Sequence, residues 1–474
     1  MGEIWIPWTI ITLFLLLSFL RPFFKFFWYL DGLVWLPVLS FLLTLCLFPA
    51  YGFRPECIPL LGYTFLLNIA NLPQLVESIA GGSEEKSHEQ GLFLPFIELI
   101  LFFVVIIPLF AFSPKISLEL LSEGVQTRTI HNKTADIDYF LRIYGPQTEE
   151  NRYRALVFLA PPEAGSVYAT DRICAELANQ GFAVISYSRS GLDAPAVNGG
   201  KKHHASAARV IMMWRAFRKG TEKAKANRSG IFLESERQKD MEFLLPFICR
   251  NRDENGVVLV PGLHSAGAFP VFLIGYGAAG SAAAYLFEQP GFAARFSNVK
   301  GMASVESRLW SAYQPELPME PRWLPQPDIP VLYLVSDRAF VATQAGNSGS
   351  SEKNRQNHYR AVLDAYNNST GPAALAAFEG AGPFAYSDFS LTHPAYSFLF
   401  PGNQKNASNS GIYALDTSWY ISNFFLMLLM RDAAAHAEGD RWGEDEFPVY
   451  PFFMPEKRVI SSAVLAEQKG LPEF

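Results

Sequence analysis

Charge is what this sequence has little of. Asp, Glu, Lys and Arg make up 18% of its 474 residues, against roughly 25% in a typical soluble domain. Hydrophobic residues make up 50%. That balance excludes a disordered or low-complexity chain and points to membrane segments. An excess of positive charge is missing as well: 39 basic residues face 45 acidic ones, a net charge of −6. Nucleic acid is therefore not an expected partner. Cysteine is scarce. Cys46, Cys57, Cys174 and Cys249 are too few and too scattered for a disulfide scaffold or a zinc site, and read as apolar filler. His203 and His204 are adjacent and would not face one site on a helix or strand, so no metal is expected. No suitably placed ribose acid accompanies the glycine-rich turn at 275–280, so a dinucleotide site is not read and no cofactor is expected.

What is present is uneven. Residues 4–20, 32–53 and 57–76 contain no charged residue, and 92–112 contains Glu98 alone. Each run approaches the ~20 residues a helix needs to cross a bilayer core. Trp5, Trp8, Trp28, Tyr29 and Trp35 sit near the ends of these runs, where amphipathic rings favour an interface. The expectation is an all-α region of four transmembrane spans over 1–116, in a multi-pass protein of the cell membrane. The start Met1-Gly2-Glu3 is not a basic leader region, so the first run reads as an uncleaved anchor. Arg21, Lys25 and Lys86 on one side outnumber Arg54 and Lys115 on the other. That bias places the remaining domain outside the cytoplasm. Glu98 reads as an interfacial or interhelical carboxylate.

From about residue 117 to 474 the texture is that of a globular domain. Short apolar runs occur at 155–160, 183–187, 257–260, 271–274, 299–305, 331–335 and 373–378. They alternate with helix-like stretches at 170–180, 205–217, 234–250, 278–287, 351–366 and 419–432. Strands apolar on both faces, alternating with helices, indicate a mostly parallel sheet in an α/β domain. A segment near 201–256 reads as an insertion. Its basic residues from Arg215 to Arg228 read as a solvated helix face, with contact to anionic lipid head groups as the other reading.

The informative stretch is Val271 to Ala284. It reads as an apolar strand, the turn Gly275-Tyr276-Gly277-Ala278-Ala279-Gly280, and an alanine-rich helix. That is the layout of a nucleophile elbow, G-x-S-x-G, in which a strained turn exposes a serine at a helix N-terminus. The central position here is Gly277, which tolerates the conformation but offers no nucleophile.

These residues and four other segments resemble the plasma-type platelet-activating-factor acetylhydrolases, α/β-hydrolases acting on phospholipid acyl chains, and their bacterial membrane-anchored relatives. The other segments are Leu156 to Gly165, Ala175 to Arg189, Gly301 to Glu306, and Gly380 to Leu391 around Asp388. The resemblance implies an α/β-hydrolase fold, a mostly parallel central sheet flanked by helices. It also implies a triad of Ser, Asp and His, and at those places the chain has Gly277, Glu306 and Pro383. Oxyanion-turn positions fall on Pro162, Glu163 and Ala278. Pro161 and Pro162 replace a His-Gly pair and remove two backbone N–H donors. The triad is therefore read as degenerate and the protein as a hydrolase scaffold without hydrolysis. Its role would be lipid or acyl-group binding, or scaffolding, with membrane lipid and a membrane protein complex as partners. The alternative is an active membrane-bound ester hydrolase with a displaced nucleophile, Ser265, served by His264 or His393.

Overall fold

The computed structural model describes residues 2–20, 31–51, 57–80, 93–111, 125–145, 153–162, 170–193, 196–198, 201–203, 223–263, 269–289, 291–307, 329–336, 362, 364–367, 373–378, 417–429 and 464–469. The chain forms two compact units. One is Met1–Ser117 with Leu391–Leu399; the other is Leu118–Ser390 with Phe400–Phe474.

Among its described residues the first unit holds four α-helices: α1 (Gly2–Leu20), α2 (Leu36–Tyr51), α3 (Cys57–Ile79) and α4 (Phe93–Ala111). They pack around Trp8, Ile11, Leu15, Leu47, Leu60, Phe102 and Ile106. The four predicted spans are corrected here. Among the described residues no helix is long and apolar enough to cross a membrane. Helix α2 has 16 residues, and α1 and α4 have 19 each. At a rise of about 1.5 Å per residue these reach about 24 and 28 Å, short of a hydrocarbon core of about 30 Å. Helix α3 has 23 residues, but its second half carries Asn68, Asn71, Pro73, Gln74 and Glu77. The Asn68 amide donates to the Pro37 and Thr64 carbonyls at 3.0 and 2.7 Å, and Asn71 donates to Leu67 at 2.8 Å. The multi-pass localisation, the extracytoplasmic orientation and the membrane setting of both functional readings lose their premise with the spans.

The second unit is an α/β-hydrolase-like mixed sheet flanked by helices. Its strands are β1 (Gln126–Asn132), β2 (Ile137–Tyr144), β3 (Leu156–Ala160), β4 (Ala183–Arg189), β7 (Val271–Tyr276), β8 (Val299–Val305), β9 (Val331–Ser336), β10 (Ala373–Phe378) and β11 (Val464–Lys469). The spatial order is β1-β2-β4-β3-β7-β8-β9-β10-β11. Strands β4, β3, β7, β8, β9 and β10 run parallel, while β1, β2 and β11 are antiparallel to their neighbours. A short hairpin, β5 (Ala196–Asn198) with β6 (Lys201–His203), stands apart from the sheet.

Helices cover both faces because alternate strand residues point to opposite sides. Leu156, Phe158, Leu273 and Met302 pack on one side with Met241, Leu244, Leu245 and Ile248 of α6 (Lys223–Arg250) and the alanines of α7 (Ala278–Glu288). Val157, Leu159, Phe272 and Ile274 pack on the other with Ile173 and Leu177 of α5 (Asp171–Asn179) and with Ile421, Phe425 and Leu428 of the helix at 417–429. The ring of Phe425 stacks on Phe272 at 4.2 Å. A one-turn helix, α8 (Phe292–Arg295), leads from α7 into β8.

One expected strand is not a strand. Residues 257–260 form a compact turn with a single bridge, Arg252 to Val258. Buried Asn251 holds them instead: its amide donates to the Val260 carbonyl at 3.0 Å and its Oδ1 accepts the Val260 N–H at 2.8 Å.

Candidate functional site at the strand ends

Strand β7 delivers the chain into a sharp turn, and α7 begins at once. Gly277 is the N-cap, with φ 58° and ψ −122°, a backbone state that a residue with a Cβ adopts only under strain. Its N–H donates to the Val305 carbonyl at 2.7 Å, and its own carbonyl accepts the N–H of Gly280 at 3.1 Å. The flanking glycines are required by contact. A Cβ on Gly275 would lie 2.5 Å from the Gly280 Cα, and one on Gly280 would lie 2.0 Å from Ser307 Oγ and 2.7 Å from the Gly275 carbonyl. Helix and strand therefore meet backbone to backbone.

Four expected positions come to the carboxyl end of the sheet. Tyr276 is in register with Val305, so Gly277 and Glu306 follow neighbouring strand ends. Ala160 is in register with Gly275, so Pro162 leaves its strand beside Gly277 and Ala278. Glu306 is buried, at 3% exposure, and takes a positive φ of 51°, uncommon for a residue with a side chain. Its N–H donates to the Leu334 carbonyl at 2.7 Å. Glu163, His264, Ser265, Pro383 and His393 lie outside the described residues.

Sequence reasoning missed two groups. The first is the buried pair Ser304 and Ser307, whose hydroxyls lie 2.5 Å apart beneath Gly280. Nothing in Met302–Ser307 marks them. The second is a buried cluster of charge. Arg237 donates to Asp193 at 2.5 and 3.0 Å, to Asp240 at 3.4 Å and to the Pro162 carbonyl at 3.0 Å. Arg189 donates to Asp240 at 2.9 Å and to Glu236 at 2.7 Å. Lys239, largely exposed, reaches Glu236 at 3.0 Å. Tyr139 and Tyr187 donate to Asp240 at 2.9 and 3.4 Å.

Burial raises the Asp240 carboxyl above the ordinary carboxylate range, with Arg237 and Arg189 opposing. Burial also works to raise Glu236, but Lys239 and Arg189 outweigh it and hold that carboxyl low. Both phenols are pushed up by burial and by the Asp240 charge. Elsewhere, burial pushes the Cys249 thiol up to about 12. Among the described residues no group of three or more His, Cys, Asp and Glu is placed to hold a metal ion.

Comparison with known proteins adds a distant frame. The family model described as TP_0976_N, an N-terminal domain, matches residues 2–111. No curated protein matches. Among solved structures, a ferulic acid esterase from Streptomyces cinnamoneus is 12% identical, with 65% of this chain and 89% of the esterase covered and a TM-score of 0.39. The esterase domain of a Rhodothermus marinus protein is 12% identical, with 63% and 99% covered and a TM-score of 0.32. An alpha-beta serine hydrolase homologue from Coxiella burnetii is 10% identical, with 58% and 95% covered and a TM-score of 0.30. The resemblance to platelet-activating-factor acetylhydrolases is corrected by these findings. The family model that matches is a different one and stops at residue 111, and no curated acetylhydrolase matches. At such TM-scores the likenesses carry no weight of their own, and the fold rests on strand order and the turn after β7.

Proposed function

We propose that the α/β unit keeps a hydrolase scaffold as a binding module for a small acyl or carbonyl compound and does not hydrolyse esters. The carrying observation is the turn at Gly277. It has the position and backbone form of a nucleophile elbow, yet glycine supplies no hydroxyl to attack a carbonyl. Beside it, Pro161 and Pro162 withhold two N–H donors from the turn that would stabilise an oxyanion. A ligand at this end of the sheet would lie outside the carboxyl ends of the parallel strands, where open α/β sheets bind ligands.

The test is labelling of the purified protein by a fluorophosphonate, together with turnover of p-nitrophenyl butyrate. No labelling and background turnover are expected, while 2-hexanone, a carbonyl compound that cannot be hydrolysed, should give a saturation-transfer NMR signal. Labelling that disappears in Ser265→Ala would overturn the reading in favour of a displaced nucleophile. Gly277→Ser should stay near background, since a hydroxyl without a base is a weak nucleophile.

A further inference from the structure

We infer that Arg237 is a positioning residue, which uses the buried charge cluster to fix the main chain at Pro161 and Pro162, where it leaves β3. The inference rests on the reading of that end of the sheet as a ligand site.

The cluster gathers five charged side chains from three places. Arg189 ends β4, Asp193 lies in the turn that follows, and Glu236, Arg237 and Asp240 come from α6. Asp193, Arg237 and Asp240 are at most 1% exposed. Burying so many charges is expensive, and a packed apolar cluster of equal volume is often as stable or more so. Stability alone therefore does not account for it. What charge offers and an apolar cluster does not is direction.

The guanidinium of Arg237 is oriented on every side. Its two terminal nitrogens grip both oxygens of Asp193, a fork-to-fork arrangement that fixes the plane of both groups. Its face lies over the Tyr187 ring at 5.6 Å, and that ring stacks on Phe158 of β3 at 5.6 Å. Asp193 is itself held, because its Oδ2 accepts the Arg189 N–H at 2.8 Å. One donor of Arg237 remains directed outward from the cluster, and it meets the Pro162 carbonyl at 3.0 Å. Pro161 and Pro162 have no N–H, so the main chain there can be held only through its carbonyls. A charged donor at a fixed point supplies that hold. A lysine would keep the charge but lose the fork: its single nitrogen, on a shorter stem, gives up the second bond to Asp193 and the fixed plane that aims the donor at Pro162.

The experiment compares amide hydrogen exchange in the full-length wild type, Arg237→Lys and Glu236→Gln, with 2-hexanone affinity measured in parallel. In Arg237→Lys, exchange at Phe158–Ala160 should quicken by about tenfold or more, the worth of a hydrogen bond to a charged group. Met302–Val305 should stay as protected as in the wild type. Glu236→Gln should leave Phe158–Ala160 protected, because Glu236 bonds to Arg189 and Lys239 while the bond to the Pro162 carbonyl comes from Arg237. Affinity for 2-hexanone should fall by about the same factor in Arg237→Lys alone. If Arg237→Lys does not fold, Asp193→Asn replaces it, since the amide keeps one acceptor and loosens the fork. Loss of protection spread evenly over the sheet, or none at all, overturns the inference. Local loss at Phe158–Ala160 in a protein whose wild type ignores 2-hexanone keeps the positioning role and sinks the ligand reading instead.

Discussion

Gly275 and Gly280 leave no room for a side chain, and the atoms they would strike are mostly backbone. An added methyl on Gly275 meets the Gly280 Cα, N and the Ala279 carbonyl within 2.6 Å. Strand and helix would have to part, so Gly275→Ala should cost about 1–3 kcal/mol, read as a lower thermal midpoint. Gly277 is a different case. Its difficulty is conformational: a positive φ with ψ near −122° would strain any L side chain by about 1–3 kcal/mol. Gly277→Ala should therefore destabilise even where the space is open.

The glycine spacing was legible in the sequence because it is local. Asp171 was not, because its partners Arg142 and Tyr144 lie on β2. Burial pushes its carboxyl up to about 6, although Arg142 and the Tyr144 hydroxyl pull the other way. The folded chain thus holds this proton more tightly than the unfolded chain does. Its contribution to stability is greatest below the ordinary carboxylate range and is lost as pH rises toward 6. Asp171→Asn removes the dependence. In urea unfolding from pH 4 to 7, stability of the variant relative to wild type should climb by up to about 1.4 kcal/mol per pH unit to near pH 6, then level off. A flat difference would mean Asp171 titrates normally.

At the scale of elements, the parallel strands could be read because both faces of each are apolar. Leu156 to Ala160 and Val271 to Ile274 are buried on either side. Helix α6 shows the limit. Its Arg237 and Asp240 look like an ordinary i,i+3 pair on a solvated face, yet both are buried. What buries them is Arg189, Asp193 and Tyr139, which stand 44 to 101 residues away in sequence, and no local pattern reports such partners. The turn at 257–260 fails for a related reason. Four apolar residues suggest a strand, but Asn251 captures both polar groups of the Val260 main chain. Asn251→Ala would leave the Val260 N–H without this acceptor next to the core, at about 1–3 kcal/mol. Exchange protection of the Val260 amide should fall first and furthest.

At the scale of the molecule, the two units differ in how they bury their apolar residues. Among the described residues both cores of the second unit draw on residues from Val125 to Leu429, while the helical core draws on Trp8 to Phe110. A sequence of long apolar runs was legible as helices. Their fitness to cross about 30 Å was not, because the helix ends shorten three of them and Asn68, Asn71, Gln74 and Glu77 make the second half of the fourth polar. Large exposed hydrophobics are concentrated in the first unit: Ile6, Leu13, Leu42, Phe65, Leu66, Val104 and Ile107 are each at least half exposed. In the second, Val257 and Val258 are the exposed large hydrophobics among the described residues. A chain starting at residue 118 keeps every described buried residue of both sheet faces and loses the apolar helices. It should fold, with the circular dichroism of an α/β domain and a cooperative thermal transition, and should stay monomeric at concentrations where the full chain associates. Analytical ultracentrifugation of the two chains side by side decides it. An unfolded or aggregated truncation, beside a full chain that stays monomeric, would mean that the sheet depends on residues before 118 for its core.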